Sequence, residues 1–371
     1  MFLLIGTLAA EPADWIWSGR YLITEDAQQR VIENGAVAVR GDRIVGVGTK
    51  SEIDARFQAR QRLDRPEAIL APGLINTHTH AAMSLLRGLA DDLNLQDWLN
   101  KFIFPAEAKN VSREYVGWGT RLAALEMLLG GTTTFTDMYY FEDAVADVAK
   151  EAGMRGVLGE TIIRFPVADA KTPADALKFT EGYLMRFRND PLVVAAVAPH
   201  AIYTNADETL KAARALANKY AAPLLIHVSE TKKENQDEMA ARHRTPVKEL
   251  DALGVFNGRT VAAHCVWVDD GDLAILKARG VGVAHNPSSN MKLASGVAPV
   301  PKMRALGIAV GLGTDGPAGS NNDFNMFEEM DLAVKLQNVS TLNPQALSAA
   351  AALEMATRGG ARALGLDKEI G

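Results

Sequence analysis

The histidines of this chain, seven in all, fall in a pattern. His78 and His80 close the run INTHTH, His227 closes LLIH, His264 closes VAAH and His285 closes VGVAH, each at the end of an apolar stretch. On an extended strand, residues i and i+2 point to the same side. His78 and His80 can therefore reach one metal ion, although such a pair alone also suits a polar loop. Glu230 stands three residues beyond His227. That spacing can set a carboxylate beside a metal-bound water without making it a ligand, and it equally suits a glutamate at a helix N-terminus. His264 can be a catalytic group or a satisfied core histidine. Its neighbour Cys265 should point the other way, into packing. Asp315, in VGLGTDG, can bind a metal or cap a turn. Together His78, His80, His227 and Asp315 offer three nitrogens and a carboxylate. That set suits one zinc or iron(II) with an open position for water, and hence hydrolysis. The SxxK spacing of Ser288–Lys292 lacks the KTG or SDN partners of serine acyl chemistry and is set aside.

These residues need a scaffold that gathers strand ends. Eight short apolar runs occur, at Ile69–Thr77, Thr132–Met138, Arg155–Thr161, Leu192–Pro199, Pro223–Val228, Thr260–Val266, Val281–Asn286 and Ile308–Thr314. Their continuous apolar character suits buried parallel strands. Between them lie helical patterns such as Tyr115–Leu129, which stops at Gly130-Gly131. Eight such alternations imply an α/β fold, a (β/α)8 TIM-type barrel, whose C-terminal rim is where active sites form. An open doubly wound sheet is the second choice, but no GxGxxG follows any of the runs. The first residues read differently, with a strand at Tyr21–Thr24 and a hairpin over Gly35–Gly48 about Gly41-Asp42. The expected division is therefore 1–67 for a small β domain and 68–360 for the barrel.

Composition narrows the function. The chain has 371 residues, 48% of them hydrophobic, with a net charge of -6, so it is neither disordered nor an evident nucleic-acid binder. A single cysteine excludes an intrachain disulfide and a thiolate metal cage. No run of about eighteen apolar residues is present, so no membrane span is expected. The segment Phe2–Ala10 is apolar, ends in small residues and lacks a preceding Lys or Arg. The expected location is the cytoplasm, with export the alternative if residues 1–10 are a signal remnant.

The motifs PGLINTHTH, PHAIYT, IHVSE, AAHC, HNPSSNMKL and LGTDGPAGSNN, in this order, resemble the amidohydrolase superfamily over roughly residues 15–370. HAAMSLLRGLADDLNLQDWL and FPAEAKN are similar to its methylthioadenosine/S-adenosylhomocysteine deaminases. The resemblance implies a zinc-dependent deaminase that turns the adenine of S-adenosylhomocysteine, 5′-methylthioadenosine or adenosine into hypoxanthine and ammonia. His78, His80, His227 and Asp315 would hold one divalent metal, zinc or iron(II). A second metal is not implied, because the fourth run ends in Ala198-Pro199-His200 without a bridging lysine. Glu230 would carry a proton to the purine ring, and Asp315 one to the leaving amine. His264 would orient the attacking hydroxide. Glu107 would meet the ribose hydroxyls, His200 would bind substrate and Trp98 would wall the purine. Arg164 is the one candidate for a substrate carboxylate. The resemblance also implies a homo-oligomer and a small β-sandwich domain completed by a C-terminal segment. Residues 361–371 would begin that return, the rest being largely missing here. The alternatives are a relative acting on guanine or a triazine ring, and a non-catalytic assembly protein of the same fold.

Overall fold

The computed structural model describes residues 10–371, which form two compact units, the first ending at Pro72 and the second spanning Gly73–Gly371. The apolar segment read as a candidate signal lies outside the described residues except for Ala10.

In the first unit β1 (Glu11–Ile23), β2 (Val31–Glu33), β3 (Gly35–Arg40), β4 (Arg43–Thr49) and β5 (Phe57–Leu70) make one sheet. β1 pairs antiparallel with β2 and β3 and parallel with β5. The β3–β4 hairpin turns at Gly41, whose φ of 58° is cheap for glycine. The strand expected at Tyr21–Thr24 is the end of the longer β1, whose polar start, Glu11–Asp14, masks it from a search for alternation. Ala13, Ile16, Ala36, Ala38, Ile53 and Phe57 form the core of this unit.

The second unit is the barrel. Its strands are β6 (Leu74–Thr79), β7 (Thr132–Tyr139), β8 (Arg155–Ile162), β9 (Val193–Pro199), β10 (Leu224–Val228), β11 (Thr260–His264), β12 (Gly282–His285) and β13 (Val310–Leu312). They are parallel neighbours in sequence order. Helices such as Arg113–Leu129, Glu142–Ala152, Pro173–Arg186 and Asp207–Lys219 alternate with them. Inside the barrel, Ile75, Val157, Ala196, Leu225, Val261 and Ala284 pack together, so the interior is a core and not a channel. Ile69 and Leu70 belong to β5 and not to the first barrel strand, because Pro72, which lacks an N–H, and Gly73 interrupt the apolar run. Residues 361–371 fall in this second unit.

The barrel closes where β13 meets β6, and this seam is thin. β13 has only three residues, and the seam has one bridge, Thr79 to Asp315. Individual hydrogen bonds from side chain and backbone add the rest. Asn76 Nδ2 donates to Thr314 Oγ1 at 2.8 Å, Thr77 Oγ1 to the Leu312 carbonyl at 2.9 Å, and Asp315 N to the His78 carbonyl at 2.9 Å. Gly313 permits this approach. A Cβ there would lie 2.5 Å from Asn286 Oδ1 and 2.9 Å from both His78 N and His78 Cβ. Gly313→Ala should therefore cost roughly 1–3 kcal/mol through overpacking and loosen any metal held at His78. Thermal unfolding and metal analysis of the variant test this, and an unchanged midpoint with unchanged metal content would contradict it.

Candidate active site

Five side chains meet at the C-terminal rim. His78 and His80 come from the end of β6, His227 from β10, His264 from the last residue of β11, and Asp315 from just beyond β13. Donor atoms of His78, His80 and Asp315 lie within 4.8 Å of one another, as do those of His78, His227 and His264. Asp315 Oδ1 is 3.4 Å from His78 Nε2 and 3.3 Å from His80 Nε2. The His78 ring centroid is 4.9 Å from those of His80 and His227.

Outside the cluster, carbonyl and amide oxygens fix the rings. His80 Nδ1 faces the Met138 carbonyl at 2.7 Å, His227 Nδ1 the His200 carbonyl at 2.8 Å, and His264 Nδ1 faces Asn290 Oδ1 at 2.9 Å. Oxygens there favour protonated Nδ1, which leaves Nε2 lone pairs pointing inward, the usual support for metal-bound imidazole. His78 Nε2 is buried without a hydrogen-bond partner. Burial opposes charge on Asp315, but the His78 and His80 rings outweigh it and hold the carboxyl well below its ordinary range. Burial likewise opposes a proton on His80, yet Asp315 prevails and raises that ring to about 9. The centre thus attracts positive charge. An N3O donor set with a further imidazole at hand fits a divalent cation such as zinc.

The turns that aim these groups are strained. Ser229, His264 and Asp315 have φ of 49°, 72° and 64°, in the left-handed region that side-chain-bearing residues avoid. At the first of these, the Glu234 carboxylate accepts from Ser229 N at 3.0 Å and Glu230 N at 2.7 Å, fixing the chain that carries Glu230. Glu230 is buried, and its Oε2 is 3.8 Å from His264 Nε2. Burial, reinforced by Asp315, pushes its carboxyl up to about 8. Near neutral pH it can therefore hold a proton and pass it on.

A cavity opens over the cluster. It is lined by His80, His200, His227, Glu230, His264 and Asp315, and also by Glu107 and Trp98. His200 Nδ1 faces Thr204 Oγ1 at 3.1 Å, and burial followed by repulsion from His80 lowers that ring to about 3. Trp98 spends its indole N–H on the Ala318 carbonyl at 2.9 Å, so its ring is a wall and not a donor. Arg164 is exposed and stands apart from the lining residues. Cys265 is buried, and burial raises its thiol, keeping it protonated. His285 is buried behind the cavity and its nitrogens have no partner. Sequence reasoning missed Tyr139, Tyr140, Tyr203, Phe104 and Met138, all of which line the cavity. Only one feature could have flagged the first two: Tyr139 continues β7 one residue past its expected end at Met138, and Tyr140 follows it directly.

The chain is similar to known proteins. The Amidohydrolase family profile matches residues 69–371. A 5-methylthioadenosine/S-adenosylhomocysteine deaminase of Syntrophobacter fumaroxidans is 46% identical over 364 residues, 98% of this chain and 83% of the relative. A zinc-bound adenosine deaminase from Xanthomonas campestris superposes with a TM-score of 0.95 at 40% identity, covering 98% of this chain and 82% of that one. The zinc complex of atrazine chlorohydrolase from Arthrobacter aurescens is more distant, with a TM-score of 0.86, 25% identity and coverage of 95% and 83%.

Protein purified without chelator should retain about one zinc per chain, and chelation should lower its thermal midpoint, since a bound ion stabilises only the folded state. His78→Ala and Asp315→Ala should each reduce the bound metal at least about tenfold, by loss of a direct ligand. Elemental analysis checks both, and full metal content in the two variants would refute the assignment.

Proposed function

The chain belongs to the amidohydrolase family, and from that premise we propose that it is a hydrolytic deaminase of adenine nucleosides. It would convert adenosine, 5′-methylthioadenosine or S-adenosylhomocysteine to the hypoxanthine product and ammonia. The observation that carries this reading is that one cavity joins the donor cluster to two buried carboxyls in different settings, Glu230 beside the donors and Glu107 beside Tyr140. The names of the deaminase relatives support the same reaction.

His78, His80, His227 and Asp315 are the proposed ligands, and zinc the proposed cation. When bound, such an ion supplies Lewis acidity that brings the pKa of a water toward neutrality, to about 7 in favourable sites. In the net reaction the oxygen of water bonds to C6 of adenine, the C6–N bond breaks and the amine leaves as ammonia. Glu230 takes the first proton of that water on its raised carboxyl and passes it to the ring nitrogen beside C6, so that the ring accepts the electron pair. His264 Nε2, 3.8 Å from Glu230 Oε2 and 4.0 Å from Asp315 Oδ2, orients the attacking oxygen between those carboxylates. Asp315 takes the remaining hydroxyl proton and returns it to the departing amine. Glu107 accepts from the ribose hydroxyls, and Trp98 and His200 wall the base and sugar. Burial keeps water out of this end of the cavity and strengthens each of these contacts.

With zinc-loaded protein, ammonia should be released from the adenine nucleosides and not from guanine. Glu230→Gln should lower kcat by about 10²–10⁴, the usual worth of a positioned proton donor. An assay coupled to glutamate dehydrogenase reads both. Preference for guanine, or full activity in the variant, would overturn the reading.

A further inference from the structure

Glu107 has an unusual setting for a buried carboxyl. It is 6% exposed, and no ion pair to it occurs among the described residues. Its visible support is phenolic: Tyr140 Oη donates to Glu107 Oε2 at 3.3 Å. Tyr139 also lines the cavity, and its ring lies 4.9 Å from that of Tyr140. Tyr139 is 3% exposed, and its hydroxyl makes no well-formed hydrogen bond, although it lies close enough to the Glu107 carboxyl to interact with it. A buried O–H without a partner is costly, so such a group is commonly one that awaits a ligand or a water. Burial, followed by the charge of Glu107, raises both phenols well above their ordinary range, so both remain donors.

Neighbouring residues of a strand point to opposite faces, yet both tyrosines reach the same cavity. The alternation stops at Tyr139, the last residue of β7. Phe141 has φ of 53°, a left-handed conformation rare for an aromatic residue. Two carboxyl groups hold that turn, half-buried Asp169, whose Oδ2 accepts from Phe141 N at 2.6 Å, and buried Glu160, whose Oε2 accepts from Glu142 N at 2.9 Å. Tyr139 keeps its place at the strand end, and Tyr140 stands in the bend that follows, where alternation no longer sets its direction and its hydroxyl meets Glu107.

We propose that Tyr139 and Tyr140 complete a binding group for the vicinal diol of the substrate: Tyr140 positions the Glu107 carboxylate, and Tyr139 donates its O–H to an oxygen of the same diol. Carboxylate and phenol are complementary here. Each sugar hydroxyl is both donor and acceptor, and Glu107 alone can serve only its donor side. This inference rests on the reading that Glu107 meets the ribose.

The test compares adenosine with 2′,3′-dideoxyadenosine for the wild type, Tyr139→Phe, Tyr140→Phe and Glu107→Gln, all zinc-loaded. Each Tyr→Phe change should raise KM for adenosine about three- to tenfold, the worth of one hydrogen bond, with kcat within about twofold. On the dideoxy substrate both variants should match the wild type. A selective loss in Glu107→Gln without one in the tyrosine variants would overturn the proposal and leave the ribose role of Glu107 standing. A Glu107→Gln loss that is equal on both substrates would overturn that role and the proposal with it. An equal loss on both substrates in the tyrosine variants would reduce the tyrosines to packing.

Discussion

The contact between the first and last strands of the barrel is the constraint on which the rest depends. β13 is too short to pair along its length with β6, so the ring is completed by the Thr79–Asp315 bridge and by side-chain hydrogen bonds from Asn76 and Thr77. The proposed ligands straddle this seam, with His78 and His80 on one side and Asp315 on the other. A cation bound there would tie the first strand to the last and balance the lone pairs and carboxylate that the seam brings together. Stability and reactivity therefore rest on the same few atoms. Gly313 follows from this requirement, since a side chain there would push His78 away from Asp315.

Strain is concentrated at the same rim. His264 and Asp315 adopt left-handed backbone conformations, as do Ser229 beside Glu230 and Phe141 beside Tyr140. Each lies at or beside a residue that lines the cavity. Carboxyl groups hold two of these turns, Glu234 at Ser229–Glu230 and Asp169 with Glu160 at Phe141–Glu142. The rigid strands below supply the platform on which such turns persist.

Much of this was legible in the sequence, for a physical reason. Buried parallel strands need continuous apolar runs, and polar residues at the ends of those runs stand out against them. His78, His80, His227, His264 and Asp315 were visible in that way, and the family motifs added Glu107 and His200. The tyrosines were not. In the run FTDMYY they look like core, and nothing in residue spacing shows that the strand ends at Tyr139 and that Tyr140 then meets Glu107. The start of the first barrel strand was misjudged because Ile69 and Leu70 are apolar and sit just before it, although they finish β5. The indole N–H of Trp98, satisfied by a carbonyl more than two hundred residues away in sequence, was equally beyond local reading.

The central claim is that one cation sits among His78, His80, His227 and Asp315 with Glu230 beside its open side. Anomalous diffraction at the zinc edge from crystals of the zinc-loaded chain tests it most directly. The account predicts a single strong peak at bonding distance from those four side chains, about 2.0–2.2 Å for nitrogen and oxygen ligands, with a solvent oxygen between the ion and the Glu230 carboxyl. A second peak of equal strength, or a zinc that leaves Asp315 uncoordinated, would contradict it.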